Sequence, residues 1–522
     1  MGKADDGYAD GDWEELVTAA LLGTERRGGT PEALLDAAAV RTLRRRAGLR
    51  PAPAARRPDP APRDPRPAPP DAAGRRLALL LAGRTAGAGT GRRGAAPDLT
   101  ELLPQWLAAA GRHGYRAPSA LVPALMDAAR ARTDLRPQAL ALAGARGLWL
   151  ARLNPEWRFA LRGTAGGTGE LPDPADEEAV ARLWEEGLFA ERVALLGAVR
   201  AHEATAATRL LATTWDDERA EDRLMFLDSL RTGLSMADEP FLEAALGDRG
   251  RNVRATAAEL LSALPGSALA GRMAERALAC VGPEGVEPPA ECDAGMLRDG
   301  VVKRPPAGRG ERAWWLGQLV EAAPLSCWRD RFGGLDPAEL VALPVAEGWA
   351  EEIHAAWCRA AVRQRDAQWS KALLGAASAP PAAGPGTASL AERAKLLETL
   401  PEGERAEWVA EFVRANGLSE AFQLLGVCRV PWAGALGRAV VDALDAARAA
   451  GGYPWSFSGV MGLAERCLDP AEAGRLEALT ATVEEVPEGG SGAAAYWAEA
   501  FRRLVATLRL RAAMLAELAP AS

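Results

Sequence analysis

Isoleucine occurs once in the 522 residues, at Ile353. Strand-forming composition is therefore thin, while Ala, Leu and Arg abound, and that balance favours helix over sheet. Lysine occurs only at Lys3, Lys303, Lys371 and Lys395, so nearly all basic charge is arginine, as a GC-rich coding bias would give. Histidine is confined to His113, His202 and His354. His202-Glu203 lacks the second histidine of HExxH, and three isolated imidazoles describe no metal site. The six cysteines (Cys280, Cys292, Cys327, Cys358, Cys428, Cys467) form no CxxC pair, which excludes a zinc knuckle and a thioredoxin-type centre. They read as reduced, mostly buried thiols of a cytoplasmic protein.

Other absences narrow the field further. The longest compact apolar run, Leu77–Ala82, is far too short to span a membrane. The N-terminus is acidic without an apolar core, so it is no signal peptide, and Asp6 stands where myristoylation needs Ser or Thr. No GxSxG elbow occurs. Gly89, Gly91 and Gly94 satisfy GxGxxG, but no strand precedes them and Pro97 follows, so a linker is preferred to a phosphate cradle. No cofactor and no catalytic set is indicated. A net charge of −8 argues against a dedicated nucleic-acid binder.

What is present is a repeat. Stepping by 31 residues aligns Val180, Leu211 and Leu242, then Trp184, Trp215 and Leu246. Glu186, Asp217 and Asp248 make an acidic column, and Arg192, Arg223 and Arg254 a basic one. A fixed period in this range marks stacked helical hairpins, each unable to bury its own stripe. In the last copy, Asp238 or Glu239 caps the first helix, Gly247 ends it and Asn252 caps the second. The matching words are Asp248 in the turn, Val253-Arg254 opening the second helix, then Ala257, Ala258, Leu260 and Leu261. They resemble a short HEAT-like repeat. That resemblance implies a ladder between repeats, in which Asp217 and Asp248 meet Arg223 and Arg254. The expected fold is all-α, an α-solenoid of helical hairpins, HEAT-like in its centre.

The organisation expected along the chain follows composition. Residues 1–50 hold N-terminal helices, and 51–98 a Pro/Gly-rich disordered linker. A helical segment spans 99–165, and the HEAT-like repeats 166–282. An insertion loop occupies 283–310, and a Trp-rich helical segment 311–378, where tryptophans read as helix-packing anchors rather than a sugar-stacking surface. A second linker covers 379–389. C-terminal helical repeats fill 390–522 and end in a long amphipathic cap.

The insertion leads into the most distinctive words of the chain. They are Cys292-Asp293, Met296, Arg298-Asp299-Gly300, Lys303, Pro305-Pro306, and Gly308 through Gly310-Glu311-Arg312-Ala313-Trp314-Trp315. With Trp13, Ala20 through Arg26, and Asn154-Pro155-Glu156-Trp157, they resemble a mainly actinobacterial family of unknown function. The resemblance implies gene neighbourhoods with a MoxR-type AAA ATPase, a von Willebrand A-type protein and a SWIM zinc-finger protein. Those are the implied protein partners. Asp293, Arg298, Asp299, Lys303, Glu311 and Arg312 bring both charge signs together without a nucleophile–base pair. They read as an interaction loop in preference to an active site. The function expected is a non-enzymatic scaffold or adaptor. An enzyme with its site at the 291–315 loop and a HEAT-like nucleic-acid binder are the alternatives.

Overall fold

The computed structural model describes residues 13–24, 30–48, 58–86, 99–162, 171–345, 348–379, 389–484 and 492–520. Among them the one sheet is a two-residue hairpin, Val281–Gly282 (β1) against Gly285–Val286 (β2). Everything else regular is helix, so the chain is all-α. It divides into two compact units, Met1–Pro62 and Arg63–Ser522. The GxGxxG glycines lie outside the described residues, as does most of the second linker.

The first unit pairs helix α1 (Trp13–Leu22) with α2 (Pro31–Gly48). Thr30 accepts the Ala33 N–H at 3.2 Å and Pro31 fills the first turn, as the Thr-Pro-Glu spelling predicts. Leu16 and Ala19 are buried against Ala33, Leu34, Ala37 and Ala38.

The second unit begins inside the segment expected to be a disordered linker, and that expectation is corrected. Residues 63–70 are an extended strap, and Asp71–Ala86 is helix α3 with Leu77 and Leu80 fully buried. It packs with α4 (Leu99–Arg112), α5 (Val122–Ala131), α6 (Arg136–Leu153) and the short α7 (Phe159–Arg162) around Trp106, Leu125 and Leu142. Helix α6 breaks at Gly144, whose φ of 55° and ψ of −151° suit glycine alone. The break strands carbonyls of the preceding turn, and the strap supplies donors. Arg66 donates to the Ala141 carbonyl at 2.7 Å and pairs with Asp64 at 2.7 Å. Ala117 N–H takes the Leu142 carbonyl at 2.8 Å.

The repeat region runs as six successive helices, α8 (Glu177–Glu186), α9 (Phe189–His202), α10 (Ala204–Ala212), α11 (Ala220–Ser229), α12 (Glu239–Ala245) and α13 (Arg251–Ser262). Helix α8 pairs with α9 and α12 with α13, whereas α10 packs on α9 and α11 lies against both α9 and α13. Trp184 and Leu246 are buried and Trp215 half-buried. Trp184 of α8 packs on Phe226 of α11, and Trp215 packs on Phe241 of α12. Each tryptophan also carries the arginine eight residues on: the Arg192 guanidinium lies 4.4 Å from the Trp184 ring centre, and Arg223 5.7 Å from that of Trp215.

The acid partners differ from the expected columns. Arg223 reaches Asp248 of the next hairpin at 3.2 Å, both side chains buried. Arg192 pairs with Glu218, not with Asp217, which is exposed. The 213–219 turn is longer than the 246–250 turn, so the inward-facing acid falls one place later there. Arg254 pairs with no acid among the described residues; it donates to the Asp248 carbonyl at 2.7 Å and closes its own turn. Gly247 is not left-handed, and the cap of α13 falls on Gly250 rather than Asn252. Asp238 is no surface cap either. It is fully buried in a two-pronged pair with Arg200, at 3.0 and 2.8 Å.

Helix α14 (Ala268–Cys280) leads through β1 and β2 to α15 (Ala294–Arg298) and α16 (Glu311–Ala322). Then follow α17 (Ser326–Arg331), α18 (Pro337–Ala342), α19 (Ala350–Gln364), α20 (Ala367–Leu374) and α21 (Leu390–Thr399). Trp315, Trp328, Trp357 and Trp369 are buried here, with Trp357 in edge or tilted contact with both Trp328 and Trp369. They anchor helices to one another, as indole rings at helical spacing do.

The chain ends with α22 (Glu402–Leu425), α23 (Gly434–Ala449), α24 (Ser458–Cys467), α25 (Ala473–Glu484) and α26 (Gly492–Leu518). The expectation that α26 is an end cap is corrected. Its first half buries Trp497, Phe501 and Leu508 in the core that runs from the repeats onward. Its last turns bury Met514 and Leu518 in the core of α3–α7. Arg76 pairs with Glu517 at 2.6 Å, and the Tyr115 hydroxyl donates to the Leu518 carbonyl at 3.0 Å. A capping helix would serve the end of one core; the buried stripe of this one passes from one core into the other.

Candidate functional site

The six charges of the 291–315 loop do not converge. Asp293 caps α15 by accepting the Met296 N–H at 2.7 Å. Arg298 and Glu311 are exposed on helices. Lys303 is exposed, and its carbonyl accepts the Trp315 indole N–H at 2.8 Å. Arg312 ties down the loop through the carbonyls of Pro288 and Pro289, at 2.6 and 3.1 Å. Asp299 alone is buried, held by Arg272 at 2.7 Å and Arg276 at 2.6 Å. Burial would raise its pKa, but the two guanidinium groups outweigh that and hold the carboxyl below its ordinary range. A carboxylate so engaged is a poor general base. The loop is an ordered buttress, sewn to α16 by Trp314 and Gln318 through Val302.

A concavity lies elsewhere, and sequence reasoning missed it. A cleft of 700 Å³ opens between the turn after α11, helix α13, the end of α16, helix α19 and helix α21. Its floor is a chain of polar bonds. Arg231 grips Glu259 with two bonds, at 2.8 and 3.0 Å. Arg363 donates to Ser262 at 3.1 Å and pairs with Glu321, which Arg359 also holds. The Arg231 guanidinium keeps the Glu259 carboxyl below its usual pKa against the opposing effect of burial. Glu392 is used in its own helix cap, accepting the Ser389 N–H at 3.0 Å. Between these groups lie Leu260, Leu264, Val362 and Leu396.

Five cations thus face three carboxylates in a chain whose net charge is negative. Arg365 and Lys395 are exposed at this cleft, and their side chains make no ion pair or hydrogen bond among the described residues. Arg365 occupies the single position between α19 and Asp366, which caps α20. Its φ is 53°, the one left-handed non-glycine residue among those described. Sequence could have flagged the place. Gln-Arg-Asp between two helical patterns puts an arginine where a helix-ending glycine is the usual choice.

Thiol chemistry in the cleft is quenched. Burial pushes the Cys358 thiol up to about 12, so it is protonated near neutrality. Burial does the same to Cys327 and Cys428, and no cysteine is disulfide-bonded. Among the described residues no group of three or more His, Cys, Asp or Glu is placed to hold a metal ion. No helix among them is long and apolar enough to cross a membrane.

In comparisons with known proteins, the model of a family of unknown function (DUF5691) matches residues 15–518. No curated protein matches, and no solved structure does.

Proposed function

Because the chain belongs to DUF5691, a family of unknown function, we propose from geometry that it is a non-enzymatic scaffold whose cleft docks a protein partner. In this reading the second unit is an α-solenoid, HEAT-like in its central hairpins. The observation that carries it is a succession of ion pairs between residues roughly thirty positions apart, one hairpin's length. They are Arg192–Glu218, Arg223–Asp248, Arg231–Glu259, Glu243–Arg272, Lys371–Glu404 and Glu477–Arg509. Arg231–Glu259, Lys371–Glu404 and Glu477–Arg509 are exposed and worth under about 1 kcal/mol each. Their value is as markers: each joins a helix or turn to one that follows it about one repeat later, as stacking requires.

Stacked hairpins line up their second helices along one face, and a partner can lie across several of them. The cleft draws on one turn and four helices, and its three carboxylates are already engaged by donors, with its buried thiol protonated. That composition suits recognition rather than bond-making. The ATPase-centred set implied by the family resemblance gives the first partners to test, a MoxR-type AAA ATPase and a von Willebrand A-type protein. Tagged full-length chain, co-expressed with each candidate, is expected to yield a stoichiometric complex. The Arg365→Glu, Lys395→Glu double variant, folded by circular dichroism, is expected to recover at least about tenfold less partner. Equal recovery by both chains would remove the cleft from the proposal.

A further inference from the structure

The geometry points to an extended acidic segment of a protein partner as the occupant of the cleft, read by Arg365 and Lys395. This inference deepens the docking proposal and rests on it. The first ground is charge. Glu259, Glu321 and Glu392 all have donors, so the unanswered charge in the cleft is positive. Two loose cations ask for two carboxylates. A guanidinium matches a carboxylate with two parallel bonds, while the lysine ammonium serves as a mobile point charge.

The second ground is independent of charge. Arg365 holds a left-handed backbone conformation that glycine adopts without strain. Nothing in the turn uses its side chain: the helix end is closed by main-chain bonds, Asp366 N–H to the Ala361 carbonyl at 3.0 Å and Arg365 N–H to that of Val362 at 3.3 Å. The side chain is carried at a backbone position where a simpler residue would fit better, and it projects where the cleft is lined.

Size and lining choose among anions. A single phosphate would occupy a small part of 700 Å³. Leu260, Leu264, Val362 and Leu396 offer apolar footing between the charged groups, which suits acidic and leucine-like side chains in alternation. A nucleic acid needs a run of basic contacts along its backbone, and here carboxylates interrupt the run. The net charge of −8 adds specificity, since an acidic segment is repelled by most of the chain and welcomed at this cleft.

The test is fluorescence anisotropy with the full chain and a fluorescein-labelled dodecapeptide alternating Glu with Leu and Ala. Saturable binding is expected, weakened about tenfold as salt rises from about 0.05 M to about 0.3 M. Arg365→Gly and Lys395→Ala are each expected to weaken it at least about fivefold, with Arg182→Ala, at an exposed arginine outside the cleft, without effect. Arg365→Gly relieves backbone strain, so a melting curve no lower than that of the parent chain separates lost binding from lost folding. No saturable binding, or equal losses from Arg182→Ala, would overturn the inference. So would a single-stranded DNA dodecamer that binds more tightly than the peptide. If partner recovery depends on Arg365 and Lys395 but the peptide does not bind, docking stands and the acidic segment falls. If recovery is also indifferent to them, both fall.

Discussion

Arg200 and Asp238 show how much a pair of residues can decide. Both are buried, and Arg200 also donates to the carbonyls of Leu230 and Gly233 at 3.0 Å. Asp238 accepts in addition from Thr208 at 2.7 Å and from the Ser235 N–H at 2.9 Å. Burial works to raise the Asp238 pKa, yet these donors lower it overall. Asp238→Ala leaves a buried guanidinium without its counter-charge, and a loss of about 3–5 kcal/mol in urea unfolding is expected. The pH dependence follows from the depressed value. The stabilisation is full above the unfolded aspartate pKa of about 3.9 and is lost as pH falls through the lower folded value. Acid unfolding of the parent chain is therefore expected to steepen below about pH 4, and Asp238→Asn to flatten that limb. Arg365 is the opposite case. Its replacement by glycine is expected to leave the unfolding free energy level or raise it by up to about 1 kcal/mol.

At the scale of elements, two features carry predictions. The Gly144 break in α6 is filled by the strap, and a Cβ there would crowd Arg66 and sit 2.6 Å from Asp64 Oδ2. Gly144→Ala is expected to cost about 1–3 kcal/mol and to expose the 63–70 strap to limited proteolysis. Helix α26 links two cores, so Leu518→Ala is expected to cost about 2–5 kcal/mol. Much of the element level was legible in sequence. Thr30-Pro31 starts a helix where expected, and the indoles of 311–372 pack helices together. Proline density hid the strap, because nine prolines between 51 and 70 read as disorder until Arg66 finds the carbonyls released by a glycine far along the chain. The ladder was legible only in part: Arg223 and Asp248 do meet, while Arg254 is taken up by its own turn. Periodicity points to Asp217, and turn length decides for Glu218. The cleft was illegible for the same reason: Glu259, Glu321 and Arg363 lie on three helices, and only packing brings them together.

At the scale of the molecule, the described helices of the second unit pack mainly on helices one to three places away in the chain, and the last returns to the first group. Individual exposed ion pairs among these helices carry little weight. Charge is distributed otherwise: the chain is acidic, and the cleft keeps two cations in reserve. Partner association is accordingly expected to weaken steeply with salt, about tenfold or more over the range that screens exposed charge. The most direct test of the docking account is amide hydrogen exchange across the whole chain, with and without a stoichiometric partner. Slowed exchange in α13, α19 and α21 at the cleft is the result the account requires. Protection confined to the 283–310 loop, with those three helices unchanged, would contradict it.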